Sequence, residues 1–481
     1  MKKVFPGTCL LPALAALALL APAPAQKKTS PFGTNTIRTL ARKLNDYVEP
    51  FLEWNLTTNA RKKIKLGGDW RENLAKFRKE LAKQERRART SIMKELDALR
   101  SLNRQAFNYT RNPTKAGGYF LKQFEIKLEN QTRRFKFGYF MPKQYRYITR
   151  SKKGIPLIIS LAARNPNSGN WQQTNRHLKE LYGGSTFEED HLMLSPQLPD
   201  KIDMSKEPEA IADFQEWTAP IATTLEEFWK CHQIDWNRIY LEGNGESCRL
   251  AAYLAAVKPR LFAGVILRNP PKLEKLKLEN FHHLPLLVLE DKQHAGNHAS
   301  LQEALKKLDR KKIALGGGRE IDALTVVDDP GDYPFTKANK AIRTWIDTVE
   351  RKPSPTHLCF RPVFSEMREH WLIKINRFIT YVENATASYY PLIEVEMDRE
   401  KNEIEIKSQC VKSFNLFLND ELVDLDKPIK LKVNGQVKEI RVERKLDLAI
   451  WPALLNDPEF VRTAMIGNIQ PPEDEKGKKE E

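Results

Sequence analysis

Between residues 155 and 349, short apolar runs take turns with helix-length segments, and no other feature of this 481-residue chain restricts its fold as tightly. Ile155 to Leu161 (IPLIISL), Phe262 to Leu267 (FAGVIL) and Leu284 to Leu289 (LPLLVL) are apolar without alternation. Such runs suit strands covered on both faces, as in a parallel sheet. Arg238 to Glu242 and Leu324 to Val327 read as further strands. Segments 210–230, 250–257, 300–308 and 337–349 between them read as helices. Strands and helices in alternation predict an α/β fold with a doubly wound parallel sheet.

The flanks have different textures. Lys2 and Lys3, an apolar run from Leu10 to Ala21 and the small-residue triplet Ala23-Pro24-Ala25 have the pattern of a secretory signal peptide over 1–25, cut after Ala25. The expected product is secreted or periplasmic, and no later apolar run approaches the roughly 20 residues that cross a bilayer. Residues 27–125 form a basic helical region. Its clearest helix is expected from Trp70 to about Leu102, with Leu74, Phe77, Leu81, Ala88, Ile92, Leu96 and Leu99 on one stripe. The α/β domain is expected over 126–352. After the Arg351-Lys352-Pro353-Ser354-Pro355 linker, 356–470 reads as a small antiparallel β module. Asn434-Gly435 between two alternating runs is its strongest hairpin signal. Residues 471–481 are expected to be a disordered charged tail.

The net charge of +17 is compatible with attraction to an anionic polymer or an acidic surface. No nucleic-acid motif accompanies it, so no specific nucleic-acid partner is expected. Cys231, Cys248, Cys359 and Cys410 show no metal-like spacing and are expected to be buried free thiols. No cofactor motif is present: Gly316-Gly317-Gly318 lacks the lysine of a phosphate loop. His294-x-x-x-His298 is interrupted by Gly296, has no third ligand nearby and is not taken as a metal site.

The chemistry turns on residues 238–256, RIYLEGNGESCRLAAYLAA. They read as a strand, a glycine turn and a helix. The stretch from about 133 to 350 resembles an α/β-hydrolase domain of the secreted esterase and prolyl-oligopeptidase-like kind. Tyr139-Phe140-Met141-Pro142-Lys143-Gln144-Tyr145, the run Ile155 to Leu161 and the turn at 243–247, with Leu261 to Ile266 after it, carry that resemblance. It covers just under half of the chain.

The resemblance implies a Gly-x-Ser-x-Gly elbow with the nucleophile exposed at its tip. Here the register reads Gly243-Asn244-Gly245-Glu246-Ser247, so Gly245 occupies the nucleophile position. A frame shifted by two would make Ser247 the nucleophile, but it lengthens the turn and puts Arg249 where a small residue packs. The oxyanion loop, often His-Gly-Gly in the family, would hold Ala162-Ala163. The acid region would hold Glu290, Asp291 and His294, and the base position Asp332. An aspartate near pKa 4 is a poor base for a serine proton. The resemblance thus implies a hydrolase scaffold whose triad is lost. Its expected role is binding a carbohydrate, a peptide or an anionic polymer, or assembly at the cell surface. Two alternatives stay open: an active secreted serine esterase or peptidase using Ser247, and an anionic-polymer binder acting through its basic helices.

Overall fold

The computed structural model describes residues 30–472 except 57–59, 107–116, 129–130, 146–153, 163–172, 199–217, 219–220, 223, 226–227, 229–231, 274–275, 277, 292–298, 300, 302, 304–323, 328–334, 380–390, 455–456 and 458. The signal-peptide and tail readings lie outside these residues, as do most of the helices expected over 210–230 and 300–308.

The chain is an α/β protein with a parallel-rich central sheet. That sheet contains β1 (Gly118–Leu128), β2 (Gln131–Met141), β3 (Ile155–Leu161), β4 (Leu192–Pro196), β5 (Ile234–Asn244), β6 (Gly264–Arg268), β7 (Leu286–Leu289) and β8 (Leu324–Val326). Their spatial order is β1-β2-β4-β3-β5-β6-β7-β8. β2 is antiparallel to both β1 and β4, and every pairing from β4 through β8 is parallel. The apolar runs are buried throughout, as strands covered on both faces require. Helices Gln173–Tyr182 and Asn339–Thr348 cover one face; Ser247–Val257 covers the other.

The amino-terminal region departs from expectation in two ways. The sheet begins at Gly118, inside the region expected to be helical to 125, because β1 pairs along its whole length with β2. The single helix expected from Trp70 to about Leu102 is broken: two helices joined by a 3-10 turn share that span. α1 spans Thr34–Leu56, α2 spans Ala60–Ala88 and α3 spans Leu96–Ala106, with a short 3-10 turn at Ile92–Lys94. Arg89 adopts φ 55° and breaks the helical path. The Glu85 carboxylate then accepts from Ser91 Oγ at 2.7 Å and from Ile92 N at 2.9 Å, which fixes the corner. The apolar stripe survives because α2 and α3 face one core.

The carboxy-terminal module has two sheets. The first contains β9 (His357–Phe360), β12 (Leu392–Asp398), β13 (Glu403–Gln409), β15 (Ile429–Val433) and β16 (Gln436–Ile440). β10 (Glu369–His370), β11 (Ile373–Phe378), β14 (Val411–Leu418) and β17 (Ala464–Ile469) form the second. The module is not wholly antiparallel as expected, since β13 and β15 pair in parallel. The Asn434-Gly435 turn is as expected, with both residues at positive φ, 44° and 86°. A helix at Leu446–Leu454 follows. Its Ala449 and Ile450, with Val461, complete the core of α1 to α3. Arg100 grips Glu421 with two bonds of 2.6 and 2.7 Å, and Asn103 donates to Ala449 O at 3.1 Å. Another continuous core joins the sheet face under Ser247–Val257 to the module through Phe281, Leu358 and Phe360.

Candidate functional site

β5 ends in a sharp turn, and the helix Ser247–Val257 starts at once. Gly243 permits the close approach: a Cβ there would lie 2.5 Å from Cys248 Cα. Gly245 sits at the tip with φ 57°, a conformation that a side chain disfavours. Its N–H donates to Arg268 O at 2.8 Å, and its carbonyl accepts from Cys248 N at 3.0 Å. The backbone therefore has the strained strand-to-helix form of a nucleophile elbow, and the residue at its tip carries no side chain.

Ser247 lies in the first helical turn, with no exposed surface. Its Oγ accepts from Asn244 N at 2.8 Å and lies 2.8 Å from Leu161 O and 3.0 Å from Asn244 O, either of which can take its proton. Asn244 Nδ2 also donates to Leu161 O, at 2.9 Å. Both groups thus tie the turn to the end of β3. Among the described residues no imidazole is hydrogen-bonded to Ser247.

Directly beneath lies a buried polar cluster on the sheet face that carries Gln173–Tyr182. Paired strands place Ser160 beside Glu242, and Arg268 ends β6 one step further out. None of these three side chains is exposed. The Glu242 carboxylate accepts from Arg268 Nε at 2.6 Å, Tyr182 OH at 2.8 Å and Ser160 Oγ at 2.5 Å. With its proton given to Glu242, Ser160 Oγ accepts from His177 Nε2 at 2.9 Å, so the imidazole carries a proton on Nε2. Burial pushes the His177 pKa down to about 4, against the opposing pull of Glu242. The Tyr182 phenol is held well above its ordinary range, by burial first and by Glu242 next. The cluster is nearly closed: a serine, an imidazole and a carboxylate are together, but the hydroxyl donates its proton to the carboxylate, and of the members only His177, 9% exposed, keeps any surface.

Of the other expected positions, Ala162, Glu290 and Asp291 are described. Ala162 follows β3 and is half-buried. Glu290 follows β7 and is buried. Asp291 is bound by the loop after β6: it accepts from Asn269 Nδ2 at 2.7 Å, and its N–H donates to Asn269 Oδ1 at 2.9 Å. Asn269 adopts φ 50° there. Ala163, His294 and Asp332 lie outside the described residues. Among the described residues no group of three or more His, Cys, Asp or Glu side chains could hold a metal ion. Cys248 and Cys359 are buried free thiols as expected, Cys410 is half-buried rather than buried, and Cys231 lies outside the described residues.

Sequence reasoning missed Ser160, His177, Tyr182, Glu242 and Arg268. Two of them had a signal. A glutamate inside RIYLEG and an arginine ending FAGVILR interrupt runs otherwise read as buried on both faces, and charges in such places are almost always paired.

No family model matches the chain, and no curated protein matches it. Solved structures do. One is a thermostable esterase, 17% identical with a TM-score of 0.37, covering 48% of this chain and 63% of the esterase. Another is an S-formylglutathione hydrolase from Agrobacterium tumefaciens, 13% identical with a TM-score of 0.33, covering 48% of this chain and 96% of that one. A third is the Staphylococcus aureus fluorophosphonate-binding serine hydrolase F, 11% identical with a TM-score of 0.33, covering 48% of this chain and 98% of that one. Each of these likenesses extends over about half of this chain.

Proposed function

We propose that this is an exported α/β-hydrolase-fold protein without hydrolytic turnover, which works by binding or in an assembly at the cell surface. One observation carries the reading. The elbow tip is Gly245, and the nearest hydroxyl in sequence, that of Ser247, is buried and bonded to backbone groups. Acyl transfer by a serine needs Oγ exposed at that tip and an imidazole to take its proton. Loss of the serine or the histidine of a triad can cost about a million-fold in rate, or roughly 8 kcal/mol of barrier. In the sequence the base position holds Asp332. Export rests on the pattern of residues 1–25. A carbohydrate or peptide in the former cleft is the ligand class that suits this scaffold.

The test is turnover of short-chain p-nitrophenyl esters by the purified protein. No hydrolysis above buffer is expected. Hydrolysis abolished both by a serine-directed phosphonate and by Ser247→Ala would overturn the reading in favour of a working esterase.

A further inference from the structure

Four arginines are buried among the described residues: Arg100, Arg268, Arg351 and Arg462. Three have a carboxylate at close range. Arg268 meets Glu242 at 2.6 Å, Arg100 meets Glu421 at 2.6 Å, and Arg351 meets Asp457 with two bonds of 2.9 Å. Arg462 has none.

Arg462 is only 5% exposed. Its guanidinium lies 4.2 Å from the ring centre of Phe417 and 4.6 Å from that of Phe460. Nη2 donates to Trp371 O at 2.9 Å, and the buried Nε has no partner. A guanidinium offers five N–H donors in a planar fork. Burying it with one hydrogen bond and no counter-charge is expensive unless something else completes it.

The neighbours are also positive. Arg260 shares the Phe460 ring with Arg462, at 5.6 Å. Lys258, two residues earlier, caps the elbow helix. Neither side chain has an ion-pair partner among the described residues. Glu369 is the nearby carboxylate, and it is paired with Lys374 at 3.0 Å. Asp457 is taken by Arg351. Four cations thus surround one carboxylate that is already engaged. Burial first, and the Arg260 charge next, bring the Arg462 pKa down to about 9. Lys258 is exposed and Arg260 half-exposed, so the cluster opens to solvent. It lies at the far end of an 11-residue helix from Gly245, about 16 Å along the axis, and is independent of whether the elbow is inert.

We propose that Arg462, Arg260 and Lys258 form a binding site for a phosphate-type oxyanion at the seam between the α/β sheet and the carboxy-terminal module. A dianion matches the surplus of positive charge, and its several oxygens can accept from guanidinium N–H groups and the ammonium together. Stacking on Phe417 and Phe460 holds the Arg462 fork in place.

The test is calorimetric titration of the full chain, at constant ionic strength, with inorganic phosphate and separately with glycerol 3-phosphate. These arms distinguish a free ion from an ester-borne group. Binding of one phosphate group per chain is expected from at least one of them, weakened about tenfold or more in Arg260→Gln and in Arg462→Met. Arg260→Gln is the safer variant because that side chain is partly exposed. No binding of either ligand by the wild-type chain would overturn the site, and so would binding left unchanged in Arg260→Gln. Arg462 would then be a stacking residue alone.

Discussion

Arg268 Nε donates to Glu242 Oε1 at 2.6 Å, with both side chains wholly shielded from solvent. The pair sits under the elbow, and Ser160, Tyr182 and His177 complete it. Removing one partner of such a pair leaves a buried charge without compensation. Glu242→Gln is therefore expected to cost about 3–5 kcal/mol of stability. The double change Glu242→Gln with Arg268→Met should recover a large part of that loss. Urea unfolding of the three proteins measures both, and a single variant within 1 kcal/mol of wild type, as an order-of-magnitude bound, would contradict the pairing.

Ser247→Ala removes the acceptor of Asn244 N and a donor to the backbone at 161 or 244. A loss of about 1–3 kcal/mol is expected, with no change in any ester turnover. A stability effect without a kinetic one separates a turn-fixing hydroxyl from a nucleophile. The readouts are unfolding midpoints and p-nitrophenyl acetate rates on the same preparations.

The two elbow glycines should respond differently to alanine. At Gly245 the cost is conformational, about 1–2 kcal/mol for a side chain in the left-handed region. At Gly243 the new Cβ would meet backbone atoms of Cys248 and Ser247 at 2.5 to 3.0 Å, so strand and helix must part. Overpacking of that kind typically costs about 1–3 kcal/mol and occasionally more. Gly243→Ala should thus be the less stable variant by thermal melting. The reverse order would mean that the helix is not seated on Gly243 as described.

His177 links stability to pH. Its pKa falls from an unfolded value near 6.5 to about 4 in the folded chain. His283 is likewise lowered to about 4 and His370 to about 3, each chiefly by burial. Above pH 6.5 these rings are neutral in both states. Between 6.5 and 4 the unfolded chain binds protons that the folded chain refuses, so stability falls as pH falls. The slope is at most about 1.4 kcal/mol per pH unit for each ring. The urea midpoint should drop from pH 7 to pH 5, and His177→Gln should flatten that dependence. A midpoint constant over this window would exclude the buried neutral state.

Much of the central sheet is legible in the sequence for a simple reason. Ile155 to Leu161 is apolar without a break, and only a strand covered on both sides tolerates that. Gly243 and Gly245 mark the elbow because the backbone there needs close approach at one position and positive φ at the other. Asn434-Gly435 specifies its turn locally. What stayed hidden depends on distant partners. The break at Arg89 is set by Glu85 reaching forward to Ser91 and Ile92, inside a stripe whose periodicity continues across the corner. The parallel pairing of β13 with β15 skips β14, and local alternation cannot announce a neighbour from another part of the chain. The cluster around Glu242 needs Arg268 and Tyr182 from two other elements, so only its out-of-place charges could be noticed. Of the expected catalytic positions, Gly243, Gly245 and Ser247 fall among the described residues, whereas His294 and Asp332 lie outside them.

The amide of Asn103 and the carbonyl of Ala449 meet across a sequence separation of 346 residues. The apolar stripe of the first three helices is therefore not fully sheltered until the helix near residue 450 exists to cover it. During synthesis those early helices emerge first, amphipathic and without their lid. The core of α1 to α3 thus needs residues 446–461 to be complete, and shortening the chain before residue 446 would leave the early segment sticky rather than independent.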